Sequence, residues 1–299
     1  MTKFYNERRT FSKDGFDYLL DDDDHTAWIT HGRTGRKRVY TLPETVDVNG
    51  VIYTITSAEL YAFSGSNKLE EIIVPDSYEY LDDGVFMGRE SIKRIYLGKG
   101  LEMLHYSAIH PSPSLEVTID KDNPNLKMSD DGSWILSKDG KYLIASIKDK
   151  EELTVPEGVV TIGSGGFFCL KHLRKMFLPN SLRVIRVFGI FWNSSLVHLE
   201  LPEGLETIQY QGIVDNGMES LTLPSSLKQL DLAMLEGDIY VKELTVLCDP
   251  SVLPPDKVGF MIDANIPKDD CILRVPAKRI EDFKAHPAWS MFKTIIPLN

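Results

Sequence analysis

Seven histidines, three cysteines and a run of four aspartates are the groups in this 299-residue sequence best suited to hold a metal or move a proton. Their spacing assembles neither chemistry. His25 and His31 lie near the N-terminus, His105 and His110 lie far downstream, and His286 is close to the C-terminus. No H-E-x-x-H, C-x-x-C, G-x-S-x-G or P-loop pattern occurs. The run Asp21-Asp22-Asp23-Asp24 lacks the alternating ligands, central glycine and distal glutamate of a calcium loop. It stands between the apolar segments FDYLL and TAWIT, where a solvated hairpin turn would fall. The basic stretch RTGRKR, Arg33 to Arg38, reads as a second turn. Cys169, Cys248 and Cys271 are odd in number and far apart, which is neither a disulfide framework nor a zinc signature. They read as buried free thiols. Ser164-Gly165-Gly166 has no Lys-Ser/Thr after it and reads as a turn, not a phosphate cradle. The chain is therefore read as non-catalytic, with no metal and no cofactor.

The elements that carry these groups follow a repeat. Pro156, Pro179 and Pro202 are spaced 23 residues apart. From Pro156 the apolar residues Val159, Ile162, Phe167, Leu173, Met176 and Leu178 follow. From Pro179 the same offsets give Leu182, Ile185, Ile190, Leu196, Leu199 and Leu201, and from Pro202 they begin again with Leu205, Ile208 and Ile213. A unit one residue shorter closes through Met218, Leu221 and Leu223, and Pro224 leads to Leu227, Leu230, Leu235, Val241, Leu244 and Val246. Upstream, Pro75 gives Tyr78, Leu81, Phe86, Ile92, Ile95 and Leu97, and Gly98 gives Leu101, Leu104, Ile109 and Leu115. One coil of that length cannot bury its own apolar side, so the period predicts a solenoid whose coils stack like on like. The alternating pattern before each proline reads as a short strand, which the proline ends. Gly158, Ser181, Gly204 and Ser226 suit the turn that follows.

Two interruptions break the period. SWILSKDGKYLIAS, between Asp120 and Pro156, places two alternating runs around Asp139-Gly140 and predicts a protruding β-hairpin. Asp249 to Asp270, with Pro250, Pro254, Pro255 and Pro267, reads as an irregular loop. A bare solenoid end would expose core and strand edges, so both ends should be capped. The expected organisation is an N-terminal β cap over 1–38, a solenoid over 39–270 with the insert near 121–152, and a C-terminal cap over 271–299. In that last cap ILRVP and TIIP read as strands and Lys278 to Phe292 as a short helix broken at Pro287.

The net charge of −11 argues against nucleic acid as a partner, because that role needs a dense basic surface. The opening MTKFYNERRTF lacks the apolar core of a signal peptide, and no run approaches the ~18 apolar residues of a membrane span.

The phrases LTVPEGVVTIGSGGFF and FSGSNKLEEIIVP resemble the BspA-type leucine-rich repeats, whose unit reads L-x-x-I-x-I-P-x-x-V-x-x-I-G-x-x-A-F. The opening GFDYLL to VYTLPETVDVNGVIYTIT, the insert and the closing VPAKRIEDFKAHPAWSMFKTIIP share the likeness, which runs from about residue 15 to 299. Arg186 and Gln209 depart from it, standing where a glycine would follow the isoleucine, and Cys169 lies one position from the family's frequent cysteine. The resemblance implies a leucine-rich-repeat solenoid, a right-handed, β-rich (β/α) horseshoe with an N-terminal β cap and a C-terminal cap containing a helix. It also implies a secreted or cell-surface location and, for some members, recognition of host or matrix proteins.

Since the repeated residues face inward, a ligand must meet the residues between them. Two outward columns run through the strands before each proline: Glu71, Arg94, Lys175, His198, Ser220, Glu243 and Ile73, Tyr96, Phe177, Glu200, Thr222, Thr245. Aromatic residues on such a column mark recognition surfaces. Arg94, Tyr96, Lys175, Phe177 and His198 are thus the expected contacts for a protein or glycan ligand. A structural or self-associating surface spacer is the alternative function.

Overall fold

The computed structural model describes residues 8–35, 37–63, 68–86, 91–231, 233, 240–253 and 269–298. The chain divides into two compact units, Met1–Lys138 and Asp139–Asn299, each built as a β-solenoid. Leu235 and residues 254–268 of the proline-bearing excursion lie outside the described residues.

In the second unit a coil contributes three very short strands, such as Lys175–Phe177, Val184–Ile185 and Ile190–Phe191. A two-residue strand has no stability of its own, so each pairs in parallel with its equivalent one repeat away. On the first face Leu153 aligns with Met176 and Leu199. On the second Ile162 aligns with Ile185, Ile208 and then Leu230. On the third Phe167 aligns with Ile190 and Ile213. All ten side chains are buried. The described residues assigned inward by the period are buried throughout, except Leu178 and Leu201. Those two are half-buried, because the strands end one residue earlier, at Phe177 and Glu200.

The proline opens a turn as well as ending a strand. The carbonyls of Pro156, Pro179, Pro202 and Pro224 accept from the N–H three residues on, at 3.4, 3.1, 3.1 and 3.4 Å. Successive turns alternate glycine and serine, and the structure gives the reason. Gly158 and Gly204 take positive φ, 95° and 111°, as the third residue of a type II turn requires. The serine of the next coil then clasps each of them. Ser181 Oγ accepts from the Gly158 N–H at 3.0 Å and donates to the Val159 carbonyl at 2.8 Å. Ser226 repeats both bonds on Gly204 and Leu205, at 2.9 and 2.7 Å.

The departures at Arg186 and Gln209 are explained by neighbours. Gly163, Arg186 and Gln209 all donate their N–H to the preceding coil. A Cβ on Gly163 would lie 2.5 Å from the Tyr142 ring and 2.7 Å from the Leu143 carbonyl, so only that coil demands glycine.

Tyr142–Ser146 belongs to the insert, and it pairs in parallel with Thr161–Ile162 as one more rung of the second face. Leu143 and Ala145 are buried there. In the first unit Trp134–Ser137 pairs antiparallel with Leu126–Met128, and Trp134, Ile135 and Leu136 are buried. The insert therefore does not protrude. Its alternating runs looked one-sided, yet consecutive residues are enclosed on both faces.

The first unit opens with antiparallel strands Arg9–Lys13, Phe16–Asp21 and Thr26–Gly32. The last pairs in parallel with Val51–Ala58, which starts a parallel stack through Tyr80–Leu81 and Met103–Leu104. The aspartate run is a turn: Asp23 and Asp24 donate their N–H groups to Asp21 Oδ1 at 3.1 and 3.3 Å. A second sheet stacks Val39–Thr41, Glu71–Val74, Arg94–Leu97 and Glu116–Ile119. At the C-terminal end Ser220–Leu223, Glu243–Val246, Ile272–Pro276 and Thr294–Leu298 form a parallel sheet. Helix Ile280–Ala285 and the turn at Trp289–Met291 join its last two strands. Phe283, Trp289 and Phe292 are buried, and the Trp289 indole donates to the Pro250 carbonyl at 3.1 Å.

Polar side chains close the gaps where the chain leaves a strand. Asn193 is buried and accepts from the Leu170 N–H at 2.9 Å while donating to the Phe167 carbonyl and to Asn216 Oδ1. Asn216, one coil on, donates to the Ile190 and Val214 carbonyls. Replacing Asn193 by alanine strands buried backbone groups in the coil before it, a loss of about 2–4 kcal/mol. Urea denaturation should register this as a fall in midpoint at unchanged slope. Asn193→Leu copies the Leu170 of the previous coil and fills the space; full stability in that variant would mean that packing alone holds this position.

Candidate functional site

The five residues expected to meet a ligand fall in different units. Arg94 and Tyr96 lie on the second sheet of the first unit, and Lys175, Phe177 and His198 lie on the first face of the second. Register makes each column a ladder. Val39, Glu71, Arg94 and Glu116 align, as do Thr41, Ile73, Tyr96 and Thr118. In the second unit Glu152, Lys175 and His198 align beside Thr154, Phe177 and Glu200.

Most of these side chains are already engaged along the ladder. Arg94 Nη2 and Nε lie 2.7 and 2.9 Å from Glu71 Oε2. Lys175 Nζ lies 2.7 Å from Glu152 Oε1. The Tyr96 hydroxyl donates to Asp120, and this bond pushes its phenol up to about 12. Phe177 stands exposed, with the His198 ring 6.3 Å away, centroid to centroid, and His198 Nε2 lies 3.4 Å from Glu200. Stacking identical offsets puts opposite charges one rung apart, so the column neutralises itself.

One cluster in the first unit has the residue types of a hydrolytic triad. Ser107 donates to Asp83, meets His105 Nδ1 at 2.7 Å and accepts from the Gly84 N–H at 3.2 Å. Here the serine lies between the imidazole and the carboxylate and is buried, whereas activating a serine needs the imidazole in the middle. The cluster fastens neighbouring coils. Among the described residues no group of three or more His, Cys, Asp or Glu side chains is placed to hold a metal. Cys248 and Cys271 are buried free thiols, pushed up to about 11 by burial, whereas Cys169 is half-buried.

The third face of the second unit is different. Phe168 and Phe191 point outward in register and stack at 4.7 Å. Trp192 lies 5.9 Å from Phe168 and 6.0 Å from Phe191, and Phe188 lies 5.3 Å from Phe191. After each of these strands the chain turns through a left-handed residue: Cys169, Trp192 and Asp215, at φ 58°, 59° and 55°. Beside them opens a cleft of about 530 Å³ lined by Cys169, Lys171, Trp192, Ser194, Asp215, Asn216 and Tyr240.

The profile of the BspA type leucine rich repeat region matches residues 48–129 and 140–246 in six copies, well over half of the chain. The chain belongs to this family. No curated protein matches this BspA-type chain. Among solved structures it is similar to the pneumococcal vaccine antigen PcpA, at 16% identity over 97% of this chain and 99% of that one, TM-score 0.46. It is similar to a leucine-rich cell surface protein from Faecalibacterium prausnitzii, at 14% identity over 98% and 96%, TM-score 0.39. A leucine-rich repeat protein from Bacteroides ovatus is 15% identical over 96% of this chain and 76% of that one, TM-score 0.48.

In this BspA-type repeat scaffold the cleft residues were missed by reading only the strand before each proline. Phe168 and Phe191 directly follow core residues, and Trp192 follows them; that local run of aromatics was the available signal. Arg94→Ala should leave the melting temperature within a degree or so of the parent chain in thermal unfolding, because an exposed pair gives little net gain. Asp120→Asn should return the Tyr96 phenol from about 12 toward its ordinary 10.0, read by NMR of the labelled tyrosine ring across alkaline pH.

Proposed function

We propose that the chain is a non-catalytic recognition scaffold that binds a protein or glycan ligand at a cell surface. The observation that carries this reading is the set of large aromatic side chains exposed on the coils of the second unit. Phe177, Trp192, Tyr210 and Tyr240 are 43, 56, 46 and 56% exposed. Solvent exposure of such groups costs free energy that folding alone would remove, and contact surfaces are enriched in them. Arg94 and Tyr96 in one unit, and Lys175, Phe177 and His198 in the other, are the proposed contacts of the strand faces.

A second reading, self-association as a structural spacer, is favoured by Val51 and Ile52. These adjacent β-branched residues are exposed on the hairpin Thr45–Val48 and Val51–Ala58. Light scattering separates the two: a mass that rises with concentration supports the spacer, and a monomer at every concentration removes it.

For the recognition scaffold, the labelled chain applied to immobilised matrix proteins and glycans should bind at least one. Phe177→Ala combined with His198→Ala should weaken capture by the strand face without lowering the melting temperature. Absence of capture by every immobilised protein and glycan would overturn the reading.

A further inference from the structure

Several charged side chains of the second unit have a partner on a neighbouring coil, as Lys228 has in Glu206 and Lys242 in Glu219. On the strand face Lys175 is bonded to Glu152, and beneath the turns Glu157 and Glu203 accept from the Asn180 and Ser225 N–H groups. The cleft gathers several side chains without such a partner around one opening. Among the described residues no hydrogen bond or ion pair engages the Lys171 ammonium, the Asp215 carboxylate or the Ser194 hydroxyl, and the Trp192 and Tyr240 polar tips are equally unengaged. Donors and acceptors of both kinds thus surround one opening.

The apolar part is as specific. Trp192 is the most solvent-exposed of the aromatic residues around this cleft together with Tyr240, and its indole is backed by Phe168 and Phe191. It also occupies a left-handed backbone position, where a bulky residue is disfavoured and glycine or asparagine would be relaxed. The fold therefore does not ask for tryptophan at 192. The volume of about 530 Å³ is that of a small-ligand site.

We propose that this cleft binds a neutral pyranoside. The inference rests on the recognition reading above and names its ligand class. The C–H groups of one sugar face carry partial positive charge and lie against the negative face of the Trp192 ring. The ring hydroxyls, each both donor and acceptor, are met by Lys171, Ser194 and Asp215. One cation and one anion in the opening leave it without net charge, which favours a neutral sugar over a sialylated or sulfated one.

The test uses the full chain and a panel of neutral oligosaccharides ending in glucose, galactose, mannose, N-acetylglucosamine or N-acetylgalactosamine, with sialylated forms and matrix proteins alongside. Saturation-transfer NMR and tryptophan fluorescence read binding. At least one neutral sugar should bind, with contacts through its ring C–H groups. Trp192→Gly should weaken it by more than about tenfold. Because glycine relaxes the left-handed turn, this variant should keep its melting temperature within a few degrees. Asp215→Asn should weaken binding while leaving fluorescence and folding intact, and Trp192→Tyr should restore part of the affinity. Binding of no neutral sugar at millimolar concentration, or binding that Trp192→Gly leaves unchanged, overturns the proposal. Capture of a matrix protein without any sugar would overturn the ligand class and leave the recognition reading standing; capture of nothing would remove both.

Discussion

A coil made of two- and three-residue strands has no backbone partner within itself. Every N–H and C=O directed along the stack must be met by the coil before and the coil after. That condition holds only while equivalent residues lie side by side, so one register shift would turn inward residues outward. The 23-residue spacing of Pro156, Pro179 and Pro202 is the sequence form of this condition. Leu153, Met176 and Leu199 on one face, and Phe167, Ile190 and Ile213 on another, are its structural form.

Polar residues enforce the same register where apolar contact cannot. Ser181 and Ser226 clasp the glycine turns one coil earlier, and Asn193 and Asn216 fill the interior at the exit from the third face. These bonds are directional and short-range, so they fix alignment more sharply than burial does. The alternation of glycine and serine in the turns belongs to pairs of coils, with each member supplying what the other lacks. The same stacking shapes the surface: outward charges meet opposite charges one rung away, as Arg94 does on Glu71 and Lys175 on Glu152.

Much of the fold was legible in the residues, because inward positions repeat and the residues between them do not. The period placed Ile185, Leu196 and Ile208 in the core, and all are buried. Alternation misled at the insert, since Trp134, Ile135 and Leu136 are enclosed on both sides and a period of two cannot report that. The hairpin at Asn49-Gly50 went unread, although the dipeptide is a turn signal and both residues take positive φ. The site was less legible. Arg94 and Lys175 point outward as their strand positions require, yet their partners come from neighbouring coils. The cleft beside Trp192 draws on Cys169, Trp192 and Asp215 at one repeat offset and Lys171 and Ser194 at another, but their residue types change from coil to coil, so no repeated pattern marks them.

The sequence by itself determined the coil, its length, its inward residues and its family, because those rest on local pattern repeated many times. Only the tertiary structure decided which outward groups are engaged and which stand open. That distinction depends on distances between side chains of different coils: Glu71 reaches Arg94, while Lys171 and Asp215 line a shared opening. Periodicity gives the direction of a side chain, and contact requires the position of its neighbour as well.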